Sequence, residues 1–158
     1  MDIERAVTLI VNGTNYTRVV SVRKLLCEFL RDDLDLTGTH VGCEHGVCGS
    51  CTILVDGHTA RSCLMMAVQA DGSEITTVEG LAKDGRLHPI QEAFWEEHGL
   101  QCGFCTSGLL LTVHEFLSDR RDPSEQCIRE ALAGNICRCT GYQNIVKAVA
   151  KADRIWER

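Results

Sequence analysis

"CEHGVCGSCTILVDG", residues 43–57, sets cysteines at 43, 48 and 51 directly ahead of an apolar run that ends in Asp56-Gly57. An Asp-Gly pair after strand-forming residues suits a type I′ hairpin turn, so the stretch reads as a cysteine-bearing loop that feeds a β-hairpin. Cys63 follows where the return strand would end. C-x4-C-x2-C with a distant fourth thiol is the plant-type [2Fe-2S] spacing, in which one loop supplies three thiolates and the next hairpin brings back the last. The loop has to wrap an anionic centre closely and aim N–H groups at it. Gly42, Gly46 and Gly49 stand where positive φ or close backbone approach would be needed. Zinc knuckles favour C-x2-C pairs at both ends, which this set lacks, and His45 reads as a loop residue because four cysteines already complete the shell.

Working outward, "VTLIV" ends in Asn12-Gly13, a second strand exit of the same kind. Between the two strands, "SVRKLLCEFLRDDL" (21–34) places Val22, Leu25, Leu26, Phe29 and Leu30 on one helical face, with Ser21 available as N-cap. After "GSEITTVEG" the alternation stops and helical spacing takes over. "PIQEAFWEEHG" starts on a proline suited to a first turn and stops at Gly99, a natural C′ residue. "GLLLTVHEFLSD" and "EQCIREALAG" follow, the latter capped by Asp122 or Ser124, and Thr140 to Gln143 form a capping-box pattern ahead of a fourth helix. The glycine- and charge-rich "EGLAKDGRLH" is the connector. The expected class is therefore α+β, with a mixed domain over residues 1–80 and a helical bundle over residues 81–158.

A second set of four thiols lies in that bundle: Cys102 and Cys105 in "QCGFCTSG", Cys137 and Cys139 in "NICRCTGY". Each pair falls at the end of a helical segment, and antiparallel packing would bring both loops to one end, where the N–H groups of helix starts favour an anion. C-x2-C with C-x-C is odd for zinc, and adjacent C-x-C thiols close too small a ring for a relaxed disulfide. Ten cysteines in 158 residues, no basic or long apolar N-terminal segment and no stretch long enough to span a membrane predict a cytoplasmic chain whose thiols are reduced or bind metal. A formal charge of −6 argues against nucleic acid as a partner.

Those motifs together resemble one family. "CEHGVCGSCTILVDG", "SCLMMAVQADG", "EITTVEGLA", "QCGFCTSG" and "GNICRCTGYQNIVKAV" are similar, over roughly residues 5–152, to the small iron–sulfur subunit of the molybdenum hydroxylases, the xanthine oxidase and carbon monoxide dehydrogenase family. The resemblance implies an N-terminal β-grasp ferredoxin-like domain with one [2Fe-2S] cluster on Cys43, Cys48, Cys51 and Cys63. It also implies a C-terminal four-helix bundle with a second on Cys102, Cys105, Cys137 and Cys139. Electrons would run from a molybdopterin cofactor on a large subunit, through the bundle cluster and then the ferredoxin-like one, to FAD on a medium subunit, in a dimer of heterotrimers. Cys139 would lie against the pterin amino group and Gln101 would hydrogen-bond the pterin. No residue of this chain would be catalytic on the substrate. Ser107 stands where many relatives have proline, and Ser50 replaces a frequent alanine. A free-standing ferredoxin-like carrier and a zinc-stabilised interaction module are the alternatives.

The remaining residues are expected to do little chemistry. Cys27 and Cys127 read as small packed hydrophobes in helices and Met65 and Met66 as core filling; Trp95 and Trp156 could each anchor a subunit interface, with burial in the core the preferred reading for Trp95. His88, His98 and His114 have no convergent catalytic partner. With two oxidised clusters of about −2 each, the chain would carry about −10 and would need compensating donors or basic residues on its neighbours.

Overall fold

The computed structural model describes residues 3–157. Strands β1 (Glu4–Val11) and β2 (Thr14–Ser21) form a hairpin on Asn12 and Gly13, whose φ values of 51° and 80° are those of a type I′ turn. Strands β3 (Thr52–Val55) and β4 (His58–Arg61) repeat the device on Asp56 and Gly57. Strand β5 (Glu74–Thr76) joins the two hairpins, parallel to β1 and antiparallel to β3, so that the sheet runs β2-β1-β5-β3-β4. Val7, Leu9 and Val11 alternate inward from β1 and meet Ile53, Ile75, Leu26, Phe29 and Leu30 in a buried core. This is the expected β-grasp arrangement of a sheet folded over one short helix.

That helix is much shorter than its apolar periodicity suggests. Helix α1 covers only Leu26–Glu28 and runs into a π-helical turn at Phe29–Asp33. Ser21 is the last residue of β2 rather than an N-cap. The backbone before Leu26 is used elsewhere: Lys24 O accepts from Ala67 N (2.8 Å), and Leu26 N donates to Met65 O (2.8 Å). Pairing with the segment after Cys63 holds these residues extended, and tertiary contacts override the helical pattern.

Helices α2 (Pro89–Glu96), α3 (Thr106–Ser118), α4 (Glu125–Leu132) and α5 (Gln143–Ile155) surround a second core containing Phe94, Leu109, Leu117, Ile128, Ile145 and Val149. Ser124 caps α4 by accepting from Cys127 N (3.2 Å). At the end of α2, His98 takes the left-handed conformation (φ 53°) expected of Gly99. Gly99 is instead where the chain passes close to Phe94, whose ring would lie 3.1 Å from any added Cβ. Trp95 is a correction: it is 72% exposed, because the buried face of α2 is Ile90, Ala93 and Phe94 and the next residue points away.

The two cores abut along α3 and the β3–β4 hairpin. Leu54 of β3 packs into the bundle core, and Glu115 of α3 accepts from Thr59 N (3.1 Å) while pairing with His58 Nδ1 (3.1 Å). Further along this seam His88, His114 and Trp156 stack, with Trp156 4.6 Å from the His88 ring and 5.0 Å from that of His114. Burial first, then His114 and Lys83, push His88 down to about 4, and burial with Lys83 lowers His114 as well. Between about pH 4 and the ordinary histidine value near 6.5, the unfolded chain therefore binds more protons than the folded one, and stability should rise with pH across that window. His88 also caps α2 by accepting from Ile90 N, a role asparagine can take without titrating. His88→Asn should therefore lose less of its urea midpoint than the wild-type chain between pH 7 and pH 5. Equal losses in the two proteins would refute the assignment.

Candidate metal centres

Loop 42–51 closes on itself because three of its residues adopt positive φ: Glu44 (56°), Gly46 (81°) and Gly49 (76°). The turn aims the Cys48 N–H at Cys43 Sγ (3.4 Å). That donor, with the His45 N–H, brings the Cys43 thiol down to about 6. His45 folds back so that its Nδ1 meets the Cys43 carbonyl. Cys51 stands immediately before β3, and Ser62, in the turn just after β4, fixes it by donating to Cys51 O through both N–H (3.3 Å) and Oγ (2.7 Å). Cys63 is buried at the end of that return strand, where burial pushes its thiol up to about 11 and Cys51 Sγ is its hydrogen-bond partner. The four predicted residues thus come together as two contacting pairs, Cys43 with Cys48 and Cys51 with Cys63.

The bundle thiols pair in the same way. Cys102 and Cys139 lie exposed with their sulfurs 3.5 Å apart, while Cys105 and Cys137 face inward and bond to one another. The Phe104 N–H and Cys139 lower the Cys102 thiol, while its bond to Cys102 raises that of Cys139. Burial and Cys137 drive Cys105 up to about 12. On Cys137 burial acts upward but is outweighed by donors, above all the Thr140 hydroxyl at 3.1 Å, and its thiol ends lowered. Thr140 is therefore turned toward a sulfur and accepts from Tyr142 N (3.2 Å), and the capping box with Gln143 does not form. Gln101 lies exposed, next in sequence to the exposed Cys102.

All ten cysteines are unbridged. Cys27 is buried against Cys51 and Cys63, a packed thiol pushed up to about 11 by burial, whereas Cys127 is half-buried on α4. Among the described residues no three metal-ligating side chains converge tightly enough for a single ion. The sulfurs come in twos, each pair with one partner donating and the other accepting. A cation between the pair takes the place of that proton, and two such pairs side by side are the donor set of a binuclear iron centre, in which each iron takes two thiolates. The residues present fit two [2Fe-2S] groups, with Thr140 and the loop N–H groups as the donors that tune sulfur charge. Ser50 and Ser107 are both buried, and the Ser107 hydroxyl has no protein partner.

Several residues that sequence reasoning passed over hold the two sets together. Ile136 N donates to Cys48 O (2.8 Å), and buried Asn135 donates through Nδ2 to Gly49 O (3.1 Å). Arg61 forks between Thr52 Oγ1 (2.5 Å) and Gly134 O (2.7 Å). His40 stacks on Phe104 at 4.8 Å, with its Nδ1 2.9 Å from the Phe104 carbonyl. Tyr142 OH accepts from Cys137 N (2.7 Å) and donates to Asn135 O (2.9 Å), closing the loop over the inward cysteine. The available signal was a polar residue, Asn135, inside an otherwise glycine, cysteine and apolar run.

Comparison with known proteins agrees with this geometry. A family model described as "2Fe-2S iron-sulfur cluster binding domain" matches residues 9–82, and one described as "[2Fe-2S] binding domain" matches residues 77–150. The chain is 60% identical over 146 residues to the caffeine dehydrogenase subunit gamma of Pseudomonas sp. (strain CBB1), covering 90% of this chain and 87% of that one. It is 55% identical over 142 residues to the nicotine 6-hydroxylase small subunit of Paenarthrobacter nicotinovorans, covering 90% and 86%. A chain of the crystal structure of quinoline 2-oxidoreductase from Pseudomonas putida 86 superposes with a TM-score of 0.90 at 47% identity, covering 96% of both chains.

Removing the Tyr142 hydroxyl leaves the Cys137 N–H and the Asn135 carbonyl without their partner. Tyr142→Phe should cost about 1–3 kcal/mol in denaturant unfolding. An unchanged midpoint would mean that water replaces the hydroxyl.

Proposed function

Because the chain belongs to the small iron–sulfur subunits of the molybdenum hydroxylases, the xanthine oxidase and carbon monoxide dehydrogenase family, we propose that it carries electrons between two partner subunits. In this reading, they enter from a molybdopterin centre on a large subunit and leave to FAD on a medium one. The observation that carries the reading is the arrangement of eight thiols as four contacting pairs in two sets, joined where the Cys48 carbonyl accepts from Ile136 N. When bound, each [2Fe-2S] group supplies one reversible electron; the chain's own residues hold it, limit water around it and set its potential through N–H and O–H donors.

Cys43, Cys48, Cys51 and Cys63 would hold the ferredoxin-like cluster in a domain over residues 1–80, and Cys102, Cys105, Cys137 and Cys139 that of the bundle over residues 81–158. The outward pair Cys102 and Cys139, with Gln101 beside it, favours entry there, where Gln101 would hydrogen-bond the pterin and Cys139 would lie against its amino group. Exposed apolar side chains flank both loops: Phe104 and Ile136 near the bundle set, Val47 and Leu64 near the other. Such patches suit burial against large and medium subunits in a dimer of heterotrimers. The relatives named for caffeine, nicotine and quinoline point to an N-heteroaromatic substrate, bound wholly on the large subunit. No helix among the described residues is long and apolar enough to cross a membrane, in keeping with a cytoplasmic complex.

Iron and sulfide analysis of the purified chain should give about four irons, with a red-brown colour that bleaches on reduction. About two irons, or zinc with no visible absorption, would sink the reading. Purification without any larger partner would favour a free-standing carrier. Cys139→Ser should slow electron arrival from the large subunit while leaving the visible spectrum of the ferredoxin-like cluster in place. Normal turnover with both cluster signals intact would reverse the proposed order.

A further inference from the structure

We infer that Asn135 is a positioning residue for electron passage between the two thiolate loops: it clamps Gly49 so that the Ile136 N–H stays bonded to the Cys48 carbonyl. The inference rests on the reading that both sets hold [2Fe-2S] groups. The bridge it protects is short in bonded terms: the side chain and carbonyl of Cys48, one hydrogen bond of 2.8 Å, and the backbone from Ile136 to Cys137. The other ties are longer in bonded terms: His40 on the Phe104 carbonyl reaches Cys43 only through Val41 and Gly42, and Asn135 Nδ2 meets Gly49 O one residue beyond Cys48. A hydrogen bond couples electronic states far better than an open gap of similar span, and of these hydrogen-bonded links the Cys48–Ile136 contact lies fewest bonds from a sulfur on each side. With both groups bound, one electron would cross it, the bundle centre losing one and the other gaining one, with no bond formed or broken and no proton carried.

Asn135 is suited to the task because each of its polar groups is committed. It is 1% exposed. A carbonyl can only accept, so Gly49 O selects the Nδ2 end of the amide, and Oδ1 is left to accept from Thr112 Oγ1 of α3 (2.9 Å). Its own N–H donates to Leu132 O (3.0 Å) and its carbonyl accepts from Tyr142 OH. The amide thus spans from the helix bundle to the loop between Cys48 and Cys51, one residue before the Ile136 donor. On the other side Gly108 of α3 leaves room for the Gly49 carbonyl, which any Cβ there would strike.

The test uses the purified complex, reduced with dithionite, with two variants. Asn135→Leu keeps the side-chain size and removes both bonds. Gly108→Ala keeps Asn135 and pushes the Gly49 carbonyl away. Both should retain about four irons per chain and the separate paramagnetic signals of each centre. Both should lose the magnetic splitting between the reduced centres and show several-fold slower electron redistribution after pulsed reduction. Unchanged splitting and rate in both variants would overturn the inference. So would loss of iron from both, which would make the contact a scaffold for metal retention. A wild-type chain lacking four irons would fail the proposed function instead, before either variant is compared.

Discussion

The carbonyl oxygen of Gly49 receives three donors, Thr52 N (3.2 Å), Thr52 Oγ1 (2.6 Å) and Asn135 Nδ2 (3.1 Å), and faces the backbone of Gly108 with no side chain between. The cysteine loop and helix α3 of the bundle meet at this atom. A positive φ at 49 is what turns the loop so that Cys48 and Cys51 flank it, and the missing side chains at 49 and 108 are what let a helix of the bundle approach it.

Holding eight sulfurs near one another is an electrostatic problem before it is a redox one. A buried thiolate without donors is costly, and the chain meets this by pairing each sulfur with a neighbour and pointing N–H or O–H groups at particular members. The inward members, Cys51, Cys63, Cys105 and Cys137, sit where water is scarce; Cys102 and Cys139 remain at the surface. The bundle set is therefore graded from wet to dry in the direction of the ferredoxin-like loop. A graded site is what passage from an outside donor toward an inner acceptor would use, and it follows from two short loops placed at one end of antiparallel helices.

Much of this was legible in the sequence because the signals were local. Asn12-Gly13 and Asp56-Gly57 define their own turns, the cysteine spacings are set by the size of the group held, and the four bundle helices follow from apolar periodicity. Where the sequence misled, a distant partner decided. Residues 22–25 look helical but are drawn into pairing with the segment 65–67; Gly99 looks like a helix stop but serves a close approach to Phe94; Thr140 looks like a cap but faces Cys137. Trp95 looks like core only until the narrow buried face of α2 is known. Asn135 stood out only as a polar residue in an apolar run, and what it does there could not be read locally, since its partners Gly49 and Thr112 lie far away in the chain.

The separation of the two sets does not depend on the connector. Residues 82–87 form an exposed turn region with Asp84 and Gly85 at positive φ, and a chain of that kind alone would let the halves move independently. The constraint comes from the β3–β4 hairpin, the same element that carries Cys51 and leads into Cys63. Its turn is held by Glu115, Leu54 on its inner face enters the bundle core, and Arg61 at its end ties Thr52 to Gly134. The hairpin that completes one sulfur set is thus the surface on which the helices of the other are seated, so the spacing between sets is fixed by packing. A carrier that visited partners with a single exposed centre would need none of these ties, and their presence is the physical reason to read the chain as a fixed relay.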